Sequence, residues 1–145
     1  MRLRRRLPPE LQPAFDAFVR VVQDVERGTI ALTESVPSTR FAGRPLAETL
    51  FEFEEALAAA HRGMTSWRCP EVAGAWEAAA TGLRTARNRA DRVRTRAPDP
   101  EGFESLIGVI GDLLAPLDAF VEARDAFAGL RVRPVRIGWR RARTV

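Results

Sequence analysis

The chain reads as an all-α protein, an up-down-up-down four-helix bundle with basic, partly extended N- and C-terminal tails. Three observations lead there. Apolar residues recur at Val72, Trp76, Ala79, Leu83, Ala86, Ala90 and Val93, at gaps of 4, 3, 4, 3, 4 and 3, the heptad spacing that draws one narrow apolar seam along a helix. Proline, glycine and short polar runs cut the chain into four such stretches with short links, and short links join antiparallel neighbours. Charge is segregated: residues 1–7 and 131–145 hold ten arginines and no acid, while the other 13 arginines, between Pro8 and Leu130, face all 19 acids. The organisation expected is a basic arm over 1–8, a bundle over 9–130 and an arginine-rich tail over 131–145.

The first helix is expected over 9–35. Leu11, Phe15, Phe18, Val22 and Val25 keep one phase, which continues past Gly28 through Leu32 to Val36, so the helix runs on through the glycine until Pro37 stops it. A loop over 36–44 follows, from which Phe41 is expected to tuck back onto the bundle. The second helix, 45–62, carries Leu46, Leu50, Phe53, Leu57 and Ala60 on one face, with Glu48, Glu52, Glu54 and Glu55 toward water.

Pro70 opens the third helix, 70–96, as a first-turn proline. Its alanine-rich seam lets a neighbour approach closely, and Trp76 is expected to supply most of its buried area. The fourth helix is expected over 100–129, with Asp99 as N-cap and Pro100 at its first position. It has the richest apolar face, from Phe103 to Phe127. Pro116 interrupts that face and leaves the carbonyl of Asp112 without its helical donor, so a kink belongs there. Gly108 and Gly111 offer a shallow surface for close packing.

Composition narrows function. At 145 residues the chain buries a core without disulfide or metal. One cysteine and one histidine cannot assemble a zinc site of four such ligands. Without lysine there is no Walker loop, and a single histidine with no nucleophile motif supports no catalytic triad. No cofactor is expected. The exclusive use of arginine as the basic residue, with abundant alanine, fits a GC-rich bacterial genome, so the arginine count overstates the case for an anionic partner. The basic N-terminus runs into Pro8 and Pro9 rather than an apolar stretch, and no run is long enough to span a membrane. A cytoplasmic location is expected.

Candidate sites remain. His61 and Glu54 lie seven apart on the second helix, a pairing able to bind metal or move a proton; a last-turn histidine also simply favours the helix C-terminal dipole. Trp67 and Trp76 could line a pocket or serve as core. Cys69 beside Arg68, just before a helix start, is either an activated thiol or a small filler. The ends supply Arg4, Arg5 and Arg6, and Arg133, Arg136, Trp139, Arg140 and Arg141, suited to phosphates and a stacked base or to an anionic membrane surface. The leading expectation is a non-enzymatic interaction module, self-associating or bound to a protein partner, whose basic ends meet an acidic surface. A nucleic-acid-binding protein and a small-molecule or metal-binding bundle are the alternatives.

Overall fold

The structure, a computed structural model, describes residues 6–95 and 100–132, and the regular elements among them are all helical. A short 3-10 turn, Pro9–Leu11, leads into α1, Gln12–Thr33, which passes unbroken through Gly28. The glycine is there for packing. A Cβ at Gly28 would sit 3.0 Å from the Cβ of Ala56 and 3.2 Å from the Phe53 ring, because α1 lies close along α2, Leu46–Gly63. The roughly 1 kcal/mol that glycine costs a helix interior is offset by that approach.

The loop between α1 and α2 departs from expectation at Phe41, which is 73% exposed. Its backbone is committed elsewhere: Ser38 N–H donates to the Phe41 carbonyl at 2.8 Å, and Phe41 N–H donates to Ser38 Oγ at 3.1 Å. This local turn satisfies the loop's backbone without using Phe41 as an anchor. Arg44 closes the loop from its other side. Its guanidinium forks onto Glu52 at 2.7 and 2.9 Å and reaches Glu34 at 2.8 Å, tying the end of α1 to the start of α2.

Beyond α2 a 3-10 turn, Met64–Trp67, rotates Trp67 inward, and a second, Pro70–Val72, starts α3, Ala73–Thr95. The predicted seam is inward along its whole length: Val72, Ala79, Leu83, Ala86 and Ala90 are buried, with Trp76 and Val93 half-buried. The large aromatic of the core is Trp67 rather than Trp76. Trp67 is fully buried, its ring centroid 4.9 Å from Phe18, 6.1 Å from Phe127 and 6.5 Å from Phe120. Trp76, one turn into α3, keeps an outer edge because only one side of it meets the core.

The expected fourth helix is two helices, α4 over Phe103–Leu114 and α5 over Ala119–Gly129, bridged by a 3-10 turn at Ala115–Asp118 that contains Pro116. Its start also moves. Asp99 lies outside the described residues, and Pro100 is not helical; Gly102, at φ 85°, precedes α4, a positive φ that a helix cannot contain and that favours glycine. At the bend, the Asp112 carbonyl that Pro116 deprives of a donor accepts a hydrogen bond from Arg89 of α3 at 2.7 Å. Gly82 of α3 faces the Pro116 carbonyl so closely that a Cβ would lie 2.2 Å from it. The break in one helix is thereby seated on the next.

Two further expectations for this region fail. Phe103 and Ile107 are 57% and 42% exposed, since the packed neighbours of α4 cover only its Ile110 and Leu113 side. Gly108 and Gly111 pack against nothing within 4 Å; the helix-interior glycines used for close approach are Gly28 and Gly82, with Gly43 in the loop and Gly63 at the end of α2 also tightly enclosed.

Candidate functional site

Two helices set the geometry. Glu54 and His61 are seven apart on α2, so they share one face, and α3 packs alongside α2. The two enclose a groove of about 470 Å³, within the range of roughly 300–1,000 Å³ typical of small-ligand pockets. From α2 and the turn after it come Glu54, His61 and Met64; from α3 come Trp76, Leu83 and a polar edge of Arg84, Arg87 and Asn88. The seam of α3 therefore has a flank, and that flank is the groove wall.

Fixed side chains give the groove a defined shape. Trp76 donates its Nε1–H to the Met64 carbonyl at 2.8 Å, and the Arg68 guanidinium carbon lies 4.5 Å from the ring centroid, a cation–π geometry. Its acids are already engaged. Arg94 Nε donates to Glu54 at 3.1 Å, and its Nη2 bonds Asp91. Among the described residues neither Arg84 nor Arg87 forms an ion pair. What is left is a cationic edge over an apolar floor.

Of the four pocket residues expected from sequence, His61, Glu54 and Trp76 meet here. Trp67 does not; it lies in the core, with its Nε1–H buried and unpartnered, a cost of about 1–3 kcal/mol. Arg84 and Arg87 were not among the residues expected from sequence to line a pocket. Their signal was positional: each is within one residue of the seam positions Leu83 and Ala86. Cys69 behaves as a filler. It is half-buried against the core, and burial, with a hydrogen bond to Glu71, pushes its thiol above the ordinary value, opposite to activation.

No group of three or more metal-ligating residues converges among the described residues, and no described helix is long and apolar enough to cross a membrane. Of the residues at the basic ends, Arg6 is described, and it forms an antiparallel bridge with Val132. Arg4, Arg5, Arg133, Arg136, Trp139, Arg140 and Arg141 lie outside the described residues. Of the arginines of the body, Arg44 bonds within the chain to Glu34 and Glu52, Arg94 to Glu54, and Arg89 to the Asp112 carbonyl. No protein-family model matches the chain, and no curated protein or solved structure is significantly similar to it.

Proposed function

We propose that this chain is a non-enzymatic interaction module, an up-down-up-down bundle that pairs with a second copy of itself and offers its basic ends to an acidic partner. The observation that carries the self-association is the outer flank of α4. Phe103, Ile107 and Leu114 stand at helical spacings of four and seven, with Gly111 between them. Phe103 and Ile107 are 57% and 42% exposed, and a Cβ at Gly111 would touch nothing within 4 Å. An uncharged flank with a glycine notch fits its own copy about a two-fold axis without charge repulsion.

Sedimentation velocity across a concentration series tests it. The wild-type chain should shift from monomer to dimer on concentration, and Ile107→Glu should remain monomeric with unchanged helical circular dichroism. A wild-type chain that stays monomeric at high micromolar concentration overturns the reading.

The pairing of Arg6 with Val132, N–H to carbonyl at 2.7 and 2.8 Å, favours a second reading of the ends. It starts the two arginine-rich segments from one place, so that their charge adds on one ligand, and nucleic acid is an anion of the required extent. Affinity for a mixed-sequence duplex should then fall steeply with salt, with a shallower log–log slope after removal of residues 131–145.

A further inference from the structure

The groove between α2 and α3 points to a small molecule, independently of how the chain pairs with macromolecules. Its charges decide which kind. Glu54 and Asp91 both line it, and both are bound by Arg94, which neutralises one of their two negative charges and ties both carboxylates within the fold; with Arg84 and Arg87 the cations of the groove outnumber its acids. Arg84 and Arg87 line it without an acidic partner among the described residues. Three positions apart, they lie on the same side of α3, and guanidinium forks match the two oxygens of a carboxylate. Beside them the floor is apolar, built from Ala80, Leu83 and Met64. Trp76, locked by its bond to the Met64 carbonyl, gives a preorganised aromatic surface. A site with cations at one edge and a fixed indole against an aliphatic floor selects ligands with the same division.

We propose that this groove binds a small amphipathic organic anion, its carboxylate taken by Arg84 and Arg87 and its flat apolar body lying against Trp76 and Leu83. The test uses the full chain and 1-naphthoate as the probe, with the uncharged 1-naphthamide beside it, followed by titration calorimetry at low ionic strength. Naphthoate should bind one to one, with naphthamide weaker by about tenfold or more, which is about 1.4 kcal/mol. The pair Arg84→Gln and Arg87→Gln should lose a similar factor. Arg20→Gln, on the exposed side of α1, should bind as wild type.

A second measurement needs no variant: naphthoate should shift the Trp76 indole N–H resonance of the wild-type protein, which lies at the groove. Absence of heat with naphthoate overturns the proposal. So does equal affinity for the amide, or undiminished binding by a folded double variant, or a Trp76 resonance that does not move at saturation.

Discussion

Two glycines in this chain have opposite roles, and only the space around each decides which. A Cβ at Gly82 would fall 2.2 Å from the Pro116 carbonyl oxygen, a backbone atom held by the bend between α4 and α5. Gly82→Ala should therefore destabilise the protein by about 1–3 kcal/mol, as overpacking does, even though alanine is the better helix former. Gly108 sits on the exposed side of α4 with nothing within 4 Å. Gly108→Ala should stabilise by up to about 1 kcal/mol. Urea midpoints of the two variants give the comparison, and a Gly82→Ala protein as stable as wild type would contradict the close seating of the Pro116 bend on α3. Sequence could flag Pro116 and name the Asp112 carbonyl it leaves without a donor. It could not say that Arg89, 23 residues earlier in the chain, supplies one, because that pairing depends on the lateral fit of two helices.

Between α1 and α2 the loop starts from Val36, packed against the core, and its far end is held by charge rather than by Phe41. Arg44 forks onto Glu52, and that hydrogen bond is the main reason the Glu52 carboxyl is held below the usual carboxylate range. A carboxyl with a lowered folded value contributes stability above its unfolded value of about 4.3 and loses the contribution as pH falls through the folded value. The effect is modest, because the pair is solvent-exposed. NMR titration of the Glu52 side-chain carbon should show its midpoint below that of a free glutamate, and Arg44→Gln should return it to the ordinary range. An unchanged midpoint in the variant would mean that Arg44 does not set it. Helix α2 itself was legible, since Leu50, Phe53, Leu57 and Ala60 repeat at helical spacing and are all buried. The loop was less so: Phe41 is apolar, but the turn it makes with Ser38 turns it outward, and composition carries no record of that turn.

At the scale of the whole molecule, what sequence conveyed well was periodicity, and what it conveyed poorly was which apolar side chains find a neighbour. The α3 seam is inward because helices lie on both sides of it, α2 on one and α5 on the other. The α4 face has the same kind of pattern, yet its Phe103 and Ile107 remain open while Ile110 and Leu113 are buried. Apolar spacing is identical in the two cases; only the number of packed neighbours differs. The groove was half-legible for the same reason: Glu54 and His61 share a helix and could be paired on paper, whereas Arg84 and Arg87 join them only through the packing of α3 on α2. This unevenness has a measurable counterpart, because local opening costs least where few apolar contacts hold a helix. In dilute solution the backbone amides from Ile107 to Gly111 should exchange with solvent faster than those from Phe53 to Ala60. On concentrating the protein, protection should rise across the α4 segment and stay constant in α2, since a second copy would cover the one and not touch the other. Protection in α4 that already equals α2 in dilute solution, or that never changes with concentration, would mean that the open flank is neither loosely held nor the surface through which copies meet.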